Sequence, residues 1–504
     1  MDDKEKRKCD GFFFAQRRRY FAVGFDDLRL RTDYSEILPG ETNLESWFSR
    51  NVGLRIPIVS SPMDTVTGAK MAIAMAKAGG LGIIHKGFSP SEQASAVGKV
   101  KHHLNAFISD PIFVSPHDKV IDVLNMKEQK DYGFSSFPVL DGDKRLVGIV
   151  TGNDFEFCDN ITEKTIADIM STEVVTTDFL DVSDAYKKMQ ERHKKILPVT
   201  NENRELIGIY TWTDVKRIMT NNAGGFNLDS KGSLLVGAAI GVGSEDEERA
   251  ALLAFKGVNV FVIDTAHGDS IRVIEMIKYL KLNHPEIDVV AGNISEGEAA
   301  KRLVKAGADG VRVGQGPGSI CTTRIVSGIG HPQVSAVYEC SKAIRGSGVP
   351  VCADGGIKYS GDITIALGAG ADNVMLGNLL AGTTESPGEV IFRDGKAMKI
   401  YRGMGSLEAM IDNKTSRERY GQTGDSSDKI VPEGVEGAVQ FKGDVGTILF
   451  QLVGGLRAGM GYNGTASISV LQKNANFYLV SAAGMQESHP HDLYYVKDAP
   501  NYRR

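Results

Sequence analysis

The chain of 504 residues has little of what marks a membrane, secreted or nucleic-acid-binding protein. A membrane-crossing helix needs about 18 or more consecutive apolar residues, and the sequence has no such run. The opening residues mix acids, bases and aromatics (Asp2, Lys4, Phe12, Arg17) without an apolar core and a small-residue cleavage site, so no secretory signal is expected. The net charge is only −5, which gives no reason to expect nucleic acid or a membrane surface as a partner. Cysteine is scarce and odd in number: Cys9, Cys158, Cys321, Cys340 and Cys352, with no Cys-x-x-Cys pair. That argues against a disulfide framework or a zinc cluster and leaves a reducing cytoplasm as the default compartment. A Rossmann fingerprint is also missing, because Gly314-x-Gly316 lacks a third glycine at the required spacing. A nicotinamide cofactor, if used, binds in a different way.

What is present is ordinary apolar content, 42%, and an excess of glycine, 57 residues, clustered in the second half. The apolar content excludes disorder as the main state. Eight short apolar runs alternate with helical patterns: 56–61, 81–85, 234–240, 258–264, 288–293, 310–314, 349–354 and 373–377. Such runs read as parallel strands buried on both faces, and eight strand–helix units read as a closed (β/α)8 barrel of the α/β class. The gap between the second and third runs is too long for one helix. It holds a repeat: Pro138-Val139 recurs as Pro198-Val199, Gly148-Ile149 as Gly208-Ile209, and Thr151-x-x-Asp154 as Thr211-x-x-Asp214. Thr followed by an acid three residues later is capping-box chemistry. The expected organisation is an unassigned extension, 1–23; a first barrel part, 24–105; two repeats, 106–164 and 165–219; and a second barrel part, 220–504.

The sharpest motif is Gly314-Gln-Gly-Pro-Gly-Ser-Ile-Cys321-Thr-Thr-Arg324, after the sixth run and so at the catalytic end of the barrel. Free cysteines are usually packing residues, and that reading suits Cys340 and Cys352. Cys321 lies on a glycine-rich loop whose amide dipoles favour a thiolate, so it is the candidate nucleophile. Asp354-Gly355-Gly356 and Gly377-Asn378 follow the seventh and eighth runs, the usual phosphate position of this fold. Asp354 is unsuited to phosphate, since like charges repel, and suits a pair of sugar hydroxyls.

With these motifs the chain closely resembles the IMP dehydrogenase family from about position 24 to 503. The resemblance is carried by the cysteine loop, Ser60-Ser-Pro-Met-Asp-Thr-Val66, Ala353-Asp-Gly-Gly-Ile357, Tyr401-Arg-Gly-Met-Gly-Ser-Leu407, Val431-Pro-Glu-Gly434 and Gln486-Glu-Ser-His489. The repeat pair resembles tandem CBS domains, and Glu433 looks bacterial in type. The resemblance implies that Cys321 attacks C2 of IMP, that hydride passes to NAD+, and that water releases XMP, the committed step of guanine nucleotide synthesis. It implies that Ser319, Asp354, Gly355, Gly356, Gly377, Asn378 and Tyr401 hold the ribose phosphate. Gly403, Met404, Gly405, Glu433 and Met63 would lie at the base. Asp264, Asn293, Gly314, Gln315 and Gly316 would lie on the nicotinamide side. Potassium would be held by Gly316, Gly318 and Cys321, with Glu487, Ser488 and His489 from a neighbouring subunit of a homotetramer. An octamer built through the CBS pair is a further arrangement in the same frame. Thr151, Asp154, Thr211 and Asp214 match CBS positions that contact purine nucleotides, and helix capping alone explains them equally well.

The polar stretch of about 407–430 reads by itself as a solvated loop. In the family it is a mobile flap, and Ser416-x-x-Arg419-Tyr420 matches its catalytic pair. Arg419 is then the water-activating base, although a guanidinium is normally always protonated; Tyr420 or Thr323 sharing a proton relay is the alternative. Thr265-Ala266 stands where many relatives have Ser-Ser. The nearest rival reading is a GMP reductase, which uses NADPH and lacks the Arg-Tyr pair. A non-catalytic nucleotide sensor has no use for Cys321, Glu433 and Arg419 together.

Overall fold

A computed structural model of the chain describes residues 7–18, 21–103, 107–108, 111–129, 134–178, 181–220, 225–422, 429–494 and 499–502. Residue 106, where the repeats are expected to begin, lies outside the described residues, as do 423–428 of the flap, 503, and parts of the N-terminal extension. Two compact units are formed: Met1–Lys101, Gly225–Asn227 and Leu234–Arg504 make one, and His102–Gly224 with Leu228–Ser233 the other. Among the described residues no helix is long and apolar enough to cross a membrane.

In the first unit the eight apolar runs become the strands of a closed parallel barrel. They are β1 (Ile58–Ser60), β2 (Leu81–Ile84), β3 (Gly237–Ile240), β4 (Val260–Asp264), β5 (Asp288–Ile294), β6 (Gly310–Val313), β7 (Val351–Asp354) and β8 (Asn373–Leu376). Each pairs with the next in chain order, and β8 closes on β1 with Val374 opposite Ile58. Strand β2 pairs with β3 across the inserted sequence, Ile83 opposite Gly237. Nearly every strand residue is buried, because helices cover one face and the barrel core the other. That is why the strands read as apolar runs and not as alternating ones.

The end of the barrel where the strands start is sealed by a hairpin, Ser46–Trp47 with Gly53–Leu54. Asp288, the first residue of β5, accepts hydrogen bonds from Ser49 Oγ (2.6 Å), Asn51 N (2.8 Å) and Asn51 Nδ2 (2.8 Å). Phe48 is fully buried in one cluster with Val59, Leu81, Val260 and Met375. One end is thus plugged, and the other is left to the loops that follow the strands.

The N-terminal extension, unassigned from sequence, forms the helix Asp10–Arg18. Its Phe13 is buried and stacks on Tyr338 with ring centroids 4.0 Å apart. Asp10 takes both Arg345 Nη atoms, at 2.9 and 3.0 Å, and the Tyr338 hydroxyl at 3.0 Å. Tyr338 lies on the helix Gln333–Ala343 that packs outside the barrel.

The second unit has two small cores. Strands Phe137–Leu140 and Leu146–Val150 pair antiparallel, with Pro138 opposite Ile149. Strands Ile196–Thr200 and Leu206–Thr211 pair likewise, with Pro198 opposite Ile209. Asp154 accepts from both the amide and the hydroxyl of Thr151 at 2.7 Å, and Asp214 accepts from the Thr211 hydroxyl at 2.8 Å. Both threonines therefore stand at helix starts, Gly152–Glu156 and Trp212–Thr220.

Burial alone would raise the pKa of Asp10, but the hydrogen bonds from Arg345, the Arg7 amide and Tyr338 outweigh it and hold the carboxyl at about 2, below its ordinary 3.8. A depressed carboxyl stabilises the fold above its unfolded pKa and loses that contribution as pH falls through the folded value. Asp10→Asn should therefore lower barrel stability by about 1–2 kcal/mol at pH 7. Thermal melts of both proteins across pH should show this gap constant down to about pH 4 and shrinking toward pH 2. A gap independent of pH would contradict the ion pair.

Candidate active site

The loops at the open end form a cleft of about 570 Å³ in the first unit. Its geometry starts at the end of β6. Gly314 has φ +152°, and a Cβ there would sit 2.1 Å from the Asp354 carbonyl oxygen, so only glycine lets β6 run so close to β7. Buried Gln333 ties the same two ends together, donating Nε2 to Val313 O at 2.8 Å and to Asp354 O at 3.1 Å.

The loop from Gly314 leads to Cys321, which is half-buried and lines the cleft. Its amide bonds back to Gly318 O at 3.1 Å. The thiol faces Thr323 Oγ1 at 3.2 Å and Glu433 O at 3.6 Å. The segment 433–435 stitches the loop in place: Thr322 N donates to Glu433 O at 3.0 Å and Val435 N to Ile320 O at 2.9 Å. Cys340 and Cys352 are buried at 0% and 1% exposure, on a helix and on β7, as packing residues.

On the opposite wall Tyr401 is buried, with its hydroxyl 3.9 Å from Met63 Sδ and hydrogen-bonded to Ser319. Burial pushes its phenol well above the usual range. The paired glycines 355 and 356 and the Gly377–Asn378 turn face the same space.

A chain of buried charges runs under the floor. Arg312, on β6 and 2% exposed, donates Nη1 to Asp264 Oδ1 at 2.7 Å and Nε to Asp354 Oδ2 at 2.9 Å. Asn293 Nδ2 donates to that same Asp354 oxygen at 2.8 Å and to Gly314 O at 2.7 Å. Asp264, at the end of β4, also takes Arg419 on its other oxygen, and Lys86 Nζ donates to its backbone carbonyl at 3.0 Å. Burial would raise the pKa of Asp264, but Arg419, Arg312 and Lys86 together hold it well below the carboxylate range. Burial would lower that of Arg419, but Asp264 and Tyr420 raise it, so the guanidinium is held charged. Tyr420 is pushed up to about 12, chiefly by burial.

The stretch from 407 is not a solvated loop. Ser406 caps a helix, Leu407–Asp412, and a second helix, Lys414–Arg419, follows. Ala409, Met410 and Ser416 are buried, which gives the stretch an inner face. Arg419 and Tyr420 line the cleft with Cys321. Gly405 makes room for them, since a Cβ there would lie 2.6 Å from the Tyr420 ring.

Of the residues expected from sequence, the cleft is lined by Met63, Asn293, Gly314, Gln315, Gly316, Gly318, Ser319, Cys321, Thr323, Asp354, Gly355, Gly356, Gly377, Asn378, Tyr401, Met404, Arg419 and Tyr420. Asp264 lies beneath them. Gly403, Gly405 and Glu433 brace the cysteine loop and Tyr420 from behind. Glu487, Ser488 and His489 lie on the helix Ala482–Glu487 and the turn after it, where His489 meets Tyr502 at 3.0 Å, and none of them lines the cleft. Thr151, Asp154, Thr211 and Asp214 belong to the second unit. Sequence reasoning missed Arg312, Gln333 and Lys86. For Arg312 a signal existed: an arginine inside an otherwise apolar barrel strand has to find a buried anion.

Residues 22–491 match the family model described as IMP dehydrogenase / GMP reductase domain. The chain is 46% identical over 484 residues to the inosine-5'-monophosphate dehydrogenase of Halalkalibacterium halodurans, covering 95% of this chain and 97% of that protein. It is 46% identical over 482 residues to the enzyme of the same name from Aquifex aeolicus, with the same coverage, 95% and 97%. A crystal structure of a cysteine-to-alanine variant of GMP reductase from Trypanosoma brucei, in complex with guanosine 5'-monophosphate, superposes with a TM-score of 0.80 at 40% identity, covering 94% of this chain and 98% of that one. With the barrel, the cysteine loop and a match over nearly its whole length, the chain belongs to the IMP dehydrogenase / GMP reductase family.

Proposed function

We propose that this chain oxidises IMP to XMP, with NAD+ as hydride acceptor and water as the oxygen source. One observation carries the reading beyond the family: Cys321, Arg419 and Tyr420 line a single cleft. A cysteine nucleophile alone suits either kind of family member, whereas an Arg-Tyr pair beside it suits hydrolysis of the adduct.

In this reading the Cys321 thiolate adds to C2 of the purine and hydride leaves C2 for the nicotinamide ring. Water then attacks C2, the C–S bond breaks, and XMP and the thiol are released. The overall balance is IMP, NAD+ and water to XMP, NADH and a proton. Asp354 accepts from the ribose hydroxyls: Arg312 and Asn293 both bind its Oδ2, leaving Oδ1 for the sugar. Amides of Gly355, Gly356 and Gly377, with Ser319, Asn378 and Tyr401, take the phosphate. Met63, Met404 and the Glu433 segment bound the base.

The dinucleotide fits the other side of the cleft. Asn293 Oδ1 and Gln333 Oε1 are buried at the cleft wall without a hydrogen-bond partner among the described residues. Bound NAD+ supplies the two-electron acceptor; the protein supplies orientation and exclusion of water. Potassium suits the carbonyls of Gly316, Gly318 and Cys321, because a neutral carbonyl set matches a weakly held monovalent ion, and it would brace the cysteine loop. Glu487, Ser488 and His489 would complete that set from a neighbouring subunit of a homotetramer. A purine nucleotide at Thr151, Asp154, Thr211 and Asp214 belongs to the same proposal.

Arg419 paired with Asp264 stays protonated, so in this arrangement it does not accept the proton of water. It acts by charge, stabilising the hydroxide as it forms. The proton leaves through hydroxyls, with Thr323 beside the thiol and Tyr420 beside Arg419 as the available relay.

The purified chain should reduce NAD+ with IMP and show no turnover of GMP with NADPH. Mass spectrometry of the mixture should place an adduct on the Cys321 peptide, and Cys321→Ala should form none while still binding IMP. Turnover of GMP in place of IMP, or an adduct on Cys340 or Cys352, contradicts the reading. In rapid mixing, Arg419→Ala should keep the NADH burst and slow the steady rate by about 10²–10³, the usual loss when a charge-stabilising donor is removed.

A further inference from the structure

The flap carries Arg419 into the cleft, yet much of what holds the flap lies outside the cleft. The helix Leu407–Asp412 ends at Asp412, which is 56% exposed and takes Arg402 Nη1 at 2.7 Å. Arg402 is only 16% exposed and is fixed to the barrel, since its Nε and Nη2 both donate to Asp64 Oδ2, at 2.9 and 2.7 Å, on the loop after β1. The helix Lys414–Arg419 is tied separately. Lys414 Nζ meets Glu245 at 3.2 Å, on the helix after β3. Thr415 Oγ1 donates to the Lys86 carbonyl at 3.3 Å, after β2. The last ties are Arg419 to Asp264 and the Ala266 amide to Arg419 O at 3.2 Å, both after β4. Only Ala409 and Met410 give the first helix a buried apolar face. Closure therefore leans on ion pairs and hydrogen bonds to the segments that follow the first four strands.

We propose that Arg402–Asp412, with Lys414–Glu245 beside it, is a latch that sets the fraction of time Arg419 spends on Asp264. Arg402 and Asp412 are then positioning residues for the water-attack half-reaction, although neither lines the cleft. This inference rests on the function proposed above. Asp264 is the point of conflict, because the same carboxylate lies on the side of the cleft assigned to the nicotinamide. The flap must leave for the dinucleotide and return for water. A latch for such an element has to be weak. Lys414–Glu245 is exposed at both ends and Arg402–Asp412 at its carboxylate; ion pairs open to solvent shift an equilibrium by about 1.5- to 5-fold each and are screened by salt. Two of them can bias the flap toward closure without locking it.

The pair can be broken without unfolding the barrel, because Arg402 keeps both bonds to Asp64 when Asp412 is neutral. The test uses the full-length protein, Asp412→Asn alone and combined with Glu245→Gln, with Asp412→Glu as the conservative control. In rapid mixing with IMP and NAD+, the variants should keep the wild-type burst of NADH. Their steady rate should fall about 2- to 5-fold for Asp412→Asn and further for the double variant, while Asp412→Glu stays near wild type. Inhibition by added NADH should strengthen by the same factor, since an open flap competes less with the dinucleotide. Added sodium chloride should slow the wild type and leave the double variant nearly unaffected. A merely structural role moves burst and steady rate together and leaves NADH inhibition alone, and that result overturns the latch. An unchanged steady rate with unchanged NADH inhibition also overturns it. Arg419→Ala in the same series separates the two levels. If it slows hydrolysis and the Asp412 variants do not, the latch alone falls; if it leaves hydrolysis intact, the proposed function and the latch fall together.

Discussion

A carboxylate that is 2% exposed at the end of β4 governs the arrangement of the open end of this barrel. A buried charge is costly unless it is paired and hydrogen-bonded. Asp264 meets that condition with two guanidinium groups, one on each oxygen, and a lysine on its backbone carbonyl. Arg312 is permanent, since it sits on a barrel strand and also holds Asp354. Arg419 comes from outside the barrel strands, on two short helices held by few apolar contacts and by ion pairs of mixed exposure. Placing Arg419 on Asp264 and balancing the charge of the floor are thus one event.

The rest of the barrel makes that event local. The end where the strands start is plugged by Phe48 and fixed by three hydrogen bonds to Asp288, and the strands are buried on both faces. Gln333 and the absent side chain of Gly314 hold β6 against β7. The cysteine loop, the Asp354 turn and the Gly377 turn are therefore built on rigid strand ends, the setting a site needs when reacting groups must stay within fractions of an ångström. The stretch that carries Arg419 leaves this frame at Ser406, and the segment 433–435 stitches to the cysteine loop.

Much of this was legible in the sequence. The strands announced themselves as apolar runs because parallel strands are buried on both faces, and the glycine loops because only glycine permits such close approach. Most of the residues expected to hold substrate do line one cleft. The sequence was silent where tertiary pairing decides. Arg312 inside an apolar run signals a buried anion and Lys86 follows one, but nothing in their neighbours names Asp264 as that anion. The polarity of 407–430 suggested a loop, yet with a capping serine and three buried residues Leu407–Asp412 and Lys414–Arg419 are helices. The extension before residue 22 lies outside the matched family domain, and its docking through Asp10 and Phe13 depends on Arg345 and Tyr338, more than three hundred residues away.

The central claim is that Arg419 and the dinucleotide share Asp264 in turn. The most direct measurement is a pair of crystal structures of this protein, one with IMP and a non-reducible NAD+ analogue, the other of the covalent adduct after NADH has left. Arg419 should be off Asp264 in the first and on it in the second, with Arg312 bound to Asp264 and Asp354 in both. Arg419 still paired to Asp264 while the analogue occupies the cleft would contradict it.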